Sequence, residues 1–531
     1  MILVLWLEAV AARVSSPYVL GEDGLPTVAT DMDAPYPVDP SVTQGRLPNG
    51  LTWYVEHNEK PLKRAELRLI VRVGSVVEGE AERGIAHFLE HMAFNGSKSF
   101  PADTSITALE AFGARFGAHV NASTGFDETV YKLQVPTHDP KAVETALRVF
   151  ADQAGALSFD PLECAREVGV VTEEWRLDQG LPQRIQDTLF SRLFHGSRYV
   201  ERMPIGTTDR APTFDCDTAR SFWKTWYRPD LMAVAVVGDV DVRKVQRLIR
   251  KHFARLPLPE AAVPRPWYRV PDHEETLFGV VADAEVTDST VMVLDKVDAP
   301  EENRHGAYRE MFLEQMAYIG INERLAELAQ DPASPLVLAY AEENKLGFER
   351  AGQTLNISAK EGRELEAMEV VLRVVETARR FGLTRGEVER ARRLVAQGLQ
   401  EYWAERDTTD SSTHVEEIVR VFTTAEPMPG IAYEYAMSRA YLPGIRGEEV
   451  DAWLRDHMFT GRSRVVALMM PRKPGLAVPS EVDLAAALKR VQEAELAPPA
   501  IIAGANATHI DVDALIYLPA SDKPWQLALA V

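Results

Sequence analysis

His87-Phe88-Leu89-Glu90-His91-Met92-Ala93-Phe94 has a counterpart in Met311-Phe312-Leu313-Glu314-Gln315-Met316-Ala317-Tyr318, and the shift between them is 311 − 87 = 224 residues. The same shift lays strand-like Glu66-Leu67-Arg68-Leu69-Ile70-Val71 over Thr290-Val291-Met292-Val293-Leu294-Asp295. It also lays Asp160 over Thr384 and Glu163 over Glu387, the start signals of two helices. One offset joining three separated landmarks predicts two homologous α+β domains, each a mixed sheet with helices.

Working outward, Leu51 to Glu56 and Leu67 to Val73 read as strands, and Ser105 to Phe112 as a helix. Asn121 to Val135 reads as a hairpin or one long strand with Thr129, Tyr131, Leu133 and Val135 on one face. Met232 to Val237 is a buried apolar strand ending at Gly238-Asp239. Leu256-Pro257-Leu258-Pro259 through Val263-Pro264-Arg265-Pro266 is rich in proline and separates the copies where the repeat demands a boundary. The expected layout is a lead-in over 1–37, a first domain over 38–262, a linker over 263–272 and a second domain over 273–475. A linker helix and an unassigned tail follow over 476–531.

Composition bounds the partners. At 531 residues, 46% hydrophobic and 26% charged, the chain can hold two or three domains with proper cores. No apolar run approaches the roughly eighteen residues of a membrane span. A net charge of −21 argues against nucleic acid and favours basic or unfolded polypeptide. Two cysteines, Cys164 and Cys216, make no framework of disulfides, and helix packing is the reading given to Cys164. Met1 to Ala12 has a short apolar stretch that no basic residue precedes and Glu8 interrupts, a poor export signal. Taken as it stands, this N-terminus predicts a cytoplasmic protein.

The chemistry lies in the first copy. On a helix, His87, Glu90 and His91 share one face, which suits one metal ion and one activated water. With 12 His in the chain, such a pattern arises by accident in roughly one chain in fifty, so a further ligand has to be found. The segment Asp160 to Trp175 reads as a helix with Asp160 as N-cap, Pro161 at its first position and Glu163 completing a capping box. Glu163, Glu167 and Glu174 share a face of it, and three carboxylates on one face call for a compensating cation.

At these residues the sequence resembles the pitrilysin-like zinc peptidases, or inverzincins, and within them the bacterial PqqL-like branch. The resemblance rests on HFLEH, on two glutamates 174 − 167 = 7 apart, and on Leu47-Pro48-Asn49-Gly50-Leu51, Arg83-Gly84-Ile85-Ala86, Val120-Asn121-Ala122-Ser123-Thr124 and Trp226-Tyr227-Arg228-Pro229-Asp230. It implies a zinc endopeptidase acting on peptides or unfolded polypeptides, with one zinc per chain held by His87, His91 and Glu174. It further implies Glu90 as general base, Glu167 as support for a ligating imidazole, and Asn121-Ala122 on an edge strand that pairs with substrate. In the second copy the matching positions are Met311, Gln315, Ala391 and Gly398, which cannot hold zinc. Full-length relatives of this branch are about twice as long and carry an export signal for the periplasm or envelope. The chain then corresponds to a first half, either a half-size subunit that self-associates or pairs with a partner half-subunit, or a truncated gene product. The alternative function is a non-catalytic, partner-dependent binding or scaffold subunit.

Overall fold

The computed structural model describes residues 18–498 apart from 103, 178, 207–214, 260, 301, 302 and 348. The expectations for the N-terminal apolar stretch and the last thirty residues lie outside the described residues.

Two mixed sheets organise the chain. The first has the order β1 (Val42–Arg46), β2 (Thr52–His57), β6 (Met232–Gly238), β3 (Arg64–Val71), β5 (Thr129–Pro136), β4 (Val120–Thr124). The second has the order β7 (Leu277–Asp283), β11 (Arg464–Pro471), β8 (Ser289–Asp298), β10 (Arg350–Ala359), β9 (Leu336–Lys345). Apart from β1 the orders correspond strand for strand, down to the single parallel pair at one end, β2 with β6 and β7 with β11. The repeat extends to register: Leu69 pairs with Tyr131, and Val293 with Leu355, each residue shifted by 224.

The helices of the first copy are α1 (Ile85–Met92), α2 (Thr104–Glu110), α3 (Pro140–Gly155), α4 (Pro161–Leu177), α5 (Leu181–Leu193), α6 (Cys216–Trp226) and α7 (Val242–Phe253). Those that follow are α8 (His305–Gln330), α9 (Glu364–Phe381), α10 (Arg385–Glu405), α11 (Ser411–Thr424), α12 (Ile431–Tyr441), α13 (Gly447–His457) and α14 (Glu481–Gln492). The offset carries the first residues of α3 and α4 onto those of α9 and α10 (140 + 224 = 364, 161 + 224 = 385). Between Phe253 and Leu277 the described residues form no helix or strand. The capping box expected on Glu163 gives way to an ion pair with Arg166 (3.0 Å), while Asp160 accepts the N–H of Leu162 (2.8 Å).

Strand alternation fills two cores from one sheet. Along β6, Val234 and Val236 face the helices of the first copy, whereas Ala233, Ala235 and Val237 face the other way. That second face is covered by α11, which follows the duplicated helices and lays Val415, Ile418 and Phe422 against Val42, Tyr54, Ile70 and Val130. The 3- and 4-residue spacing of those three side chains is a helical stripe. Arg68 on β3, itself buried, reaches Glu416 on α11 at 3.0 Å, fixing the docking polar end as well.

Two carboxyls, Glu56 buried and Glu434 partly so, gather beside this contact. Burial first, and then the charge of Asp39, push Glu56 up to about 7; burial and the charge of Glu417 push Glu434 up to about 7. Both pKa values are raised in the fold, so the stability they supply is present below the ordinary carboxyl range and is lost as pH climbs from about 4.5 towards 7. Glu434→Gln, which mimics the neutral acid, is therefore expected to raise stability at pH 8 by on the order of 2 kcal/mol and to change little at pH 5. Thermal unfolding at the two pH values checks this.

Candidate metal centre

The helix α1 is positioned before it is functional. Gly84 precedes it in the left-handed region (φ 89°), where a side chain would be strained. The Glu78 carboxylate, fully buried, accepts the N–H groups of Gly84 (2.8 Å) and Ala86 (2.9 Å), two donors that a helix start leaves without partners. Phe88, Leu89 and Met92 anchor the opposite face in the core, which turns His87 and His91 towards α4 and Glu90 towards Thr124 of β4. The apolar residues of the pentapeptide pack in the core, and its two imidazoles meet a carboxylate of α4.

They meet at one point. His87 Nε2 and His91 Nε2 lie 3.2 Å apart, and Glu174 Oε2 lies 3.7 Å from the first and 3.4 Å from the second. Among the described residues these three form the one group of His, Cys, Asp or Glu donors close enough to share an ion. A tetrahedral zinc with bonds of about 2.0–2.1 Å separates its ligand atoms by about 3.4 Å, so donor type and spacing both fit that ion.

Glu167 reaches across from α4 to His91 Nδ1 at 2.7 Å. With this carboxylate ionised, Nδ1 carries the proton and Nε2 keeps its lone pair on the donor side. Asn95, one turn beyond His91, donates to the other oxygen of Glu167 at 2.5 Å. Burial would push His91 down, but the hydrogen bond to Glu167 and the charges of Glu90, Glu167 and Glu174 outweigh it, so its pKa is raised. Glu90 accepts the hydroxyl proton of Thr124 on β4 (2.6 Å). Beneath it the buried phenols of Tyr131 and Tyr227 bond each other at 2.8 Å, and burial holds both pKa values up, so they stay protonated.

Asn121 and Ala122 lie on β4, the terminal strand of the first sheet on the side of α1. Ala122 donates its N–H to Asn121 Oδ1 (2.8 Å), so that donor is covered by a neighbouring side chain instead of by another strand. Glu163, grouped with Glu167 and Glu174 in the sequence, stays out of the cluster in its pair with Arg166. Glu78, Asn95 and Thr124 were not among the expected site residues. Asn95 lies beyond the end of α1 at Met92, so helical spacing alone did not place it beside Glu167.

Two further features differ from expectation or add to it. Cys164, in the first turn of α4, and Cys216, the first residue of α6, form a disulfide with Cα atoms 5.8 Å apart. The reading of Cys164 as helix packing alone is thereby corrected: α4 and α6 both pack on α1, which brings together residues 52 apart. A cavity of about 2240 Å³ opens in the second copy, lined by Glu314, Tyr318, Glu343 and Arg350 among others, and none of His87, Glu90, His91, Glu167 or Glu174 borders it. The chemistry of the second copy is absent where the repeat places it, for α8 presents Met311 and Gln315, and α10 has Ala391 and Gly398.

Comparison with known proteins agrees with this picture. The family pattern described as "Insulinase (Peptidase family M16)" matches residues 54–201, and that of the "Peptidase M16 inactive domain" matches 213–310. A protein named "Zinc protease PQQL-like" from Arabidopsis thaliana is 30% identical over 429 residues, covering 81% of this chain and 42% of its own length. "Probable zinc protease PqqL" from Escherichia coli is 33% identical over 297 residues, covering 56% of this chain and 32% of the relative. The chain thus spans less than half the length of these relatives. The crystal structure of the first half of the periplasmic protease PqqL from Escherichia coli superposes with a TM-score of 0.82 at 25% identity, covering 87% of this chain and 99% of that one. On these grounds the chain belongs to peptidase family M16, the insulinase-like family, among its PqqL-like members.

Proposed function

We propose that the chain is a zinc endopeptidase unit that hydrolyses peptide bonds in peptides or unfolded polypeptide segments. The observation that carries the proposal is the convergence of His87 Nε2, His91 Nε2 and Glu174 Oε2 within 3.2–3.7 Å, with the Glu90 carboxylate on the same face of α1. Zinc, when bound, supplies Lewis-acid activation of water and of the scissile carbonyl.

This chain's own residues do the rest. Glu90 takes a proton and passes it to the departing amine, while Thr124 holds one of its oxygens. Glu167, itself held by Asn95, fixes the ring and tautomer of His91. Substrate adds as a strand along β4 beside Asn121 and Ala122, displacing the Asn121 side chain from the Ala122 N–H. Strand addition reads backbone more than side chains, which predicts broad specificity. The disulfide fits an oxidising compartment, and the relative of known structure is described as periplasmic, so an envelope location is proposed here as well.

A second reading, in which activity depends on further polypeptide, stands beside it; the match covers 42% of the Arabidopsis thaliana protein. In it the chain is a half-subunit that cleaves only with a partner half, or serves as a binding scaffold. Metal content and cleavage of a quenched fluorescent peptide, compared with Glu90→Gln, separate the readings. One zinc per chain in both proteins, with turnover lowered by about 10²–10⁴ in the variant, supports the autonomous peptidase. Zinc in both with cleavage in neither supports the half-subunit, and absence of zinc binding overturns the peptidase reading and leaves the binding scaffold. Glu167→Gln and Asn95→Ala are expected to weaken zinc binding by about 10–100-fold and under tenfold respectively, since one orients the ligand and the other its supporter. Competition with a chromophoric chelator measures both.

A further inference from the structure

We propose that the Cys164–Cys216 disulfide is the positioning element of the metal centre: it sets the direction of α4 so that Glu167 and Glu174 meet the imidazoles of α1, and metal retention depends on the oxidised pair. The inference rests on the reading of those residues as a zinc site.

The helix α4 has little apolar anchorage of its own. In 17 residues only Cys164 and Val171 are buried. Leu162, Val170 and Leu177 are 74%, 51% and 76% exposed, so the hydrophobic stripe that fastens an ordinary surface helix is reduced to Cys164 at one end and, near the middle and within one turn of each other, buried Val171 and partly buried Val168. Gly169 lies between Cys164 and Glu174 with open space around it, adding backbone freedom in mid-helix. The inward polar face carries carboxylates that repel one another.

Two buried points define an axis, whereas one defines only a pivot. Glu167 stands 171 − 167 = 4 residues before Val171 and Glu174 stands 174 − 171 = 3 after it. At 1.5 Å per residue they lie about 6 Å and 4.5 Å from that pivot on opposite sides. A tilt of about 20° moves both carboxylates by about 1.5–2 Å in opposite directions, comparable to a metal–ligand bond. Cys164 removes this freedom by tying the first turn to α6, which packs against α1 and so closes a triangle of three helices. The other ties at this corner, Arg220 donating to the Phe159 carbonyl (3.2 Å) and Trp223 set edge-on to the Phe159 ring (5.6 Å), act on the residue before the helix N-cap and leave the axis itself unfixed.

Opening the bridge requires two electrons and two protons. A thiol–disulfide exchange protein with a paired dithiol supplies both, the S–S bond becoming two thiols as the donor's thiols close into a disulfide.

The test uses the full chain, oxidised, as the Cys164→Ala/Cys216→Ala variant, and reduced with tris(2-carboxyethyl)phosphine, which ends as phosphine oxide. Zinc affinity is read by chelator competition and backbone mobility by hydrogen exchange. The expected result is at least tenfold weaker zinc binding in the variant and the reduced chain. Exchange should be faster over residues 161–177 and unchanged in α8 and β10. A Cys164→Val/Cys216→Ala variant, which refills the apolar volume without the bond, should behave like the alanine pair. Unchanged affinity, recovery with valine, or faster exchange throughout the chain overturns the proposal. If the oxidised chain binds no zinc, the functional reading fails, and exchange over 161–177 still decides whether the bridge holds α4.

Discussion

A half-buried groove between α1 and α4 brings three carboxylates, Glu90, Glu167 and Glu174, against two imidazoles in a chain of net charge −21. Like charges at such range disfavour ionisation unless a cation or an ordered set of donors compensates. The structure supplies the donors one at a time: His91 and Asn95 to Glu167, Thr124 to Glu90. Glu174 Oε2 lies within 3.7 Å of both Nε2 atoms, a point that a divalent ion would balance. Every rigid feature nearby serves the same balance, because donors placed within tenths of an ångström need helices that do not drift. The Glu78 cap fixes the entry of α1, the disulfide ties the entry of α4, and β4 brings Thr124 in from the sheet.

The duplication explains why a copy without ligands persists in the architecture. Both sheets share strand order and the register of their central pair, yet only the first places His and Glu where the ion would sit. The second copy's contribution is physical. Its α11 crosses to the first sheet and covers the face formed by Val42, Tyr54, Ile70, Ala233 and Val237, which would otherwise present an apolar patch to water. Loss of the second copy would thus expose the back of the sheet whose edge carries Thr124 and Asn121.

Much of this was legible in the residues. The offset of 224 fixed the starts of α9 and α10 from those of α3 and α4, because helix length and the turn into each helix are set locally by caps and prolines. It failed for β11, which lies 464 − 232 = 232 residues after β6, since loops accept insertions that a paired strand does not. His87, Glu90 and His91 were readable as one helical face because i, i+3 and i+4 spacing is geometry, whereas Glu174 entered through the resemblance. What escaped were contacts that only tertiary packing creates. Nothing in two cysteines 52 residues apart announces a bridge, and the stripe on α11 announces an apolar partner without saying which sheet provides it. Thr124 and Glu78 escaped for the same reason, one lying on a strand 34 residues from Glu90, the other in the loop before α1.

The central claim is that the first copy alone holds zinc, through His87, His91 and Glu174. X-ray absorption at the zinc edge, on the chain loaded with one equivalent of metal, tests it most directly. The account predicts a four-coordinate shell of nitrogen and oxygen at about 2.0–2.1 Å with the scattering pattern of two imidazoles, lost in His87→Ala and retained in Glu314→Gln. A shell with sulfur at about 2.3 Å, an all-oxygen shell, or a spectrum indifferent to His87 would contradict it.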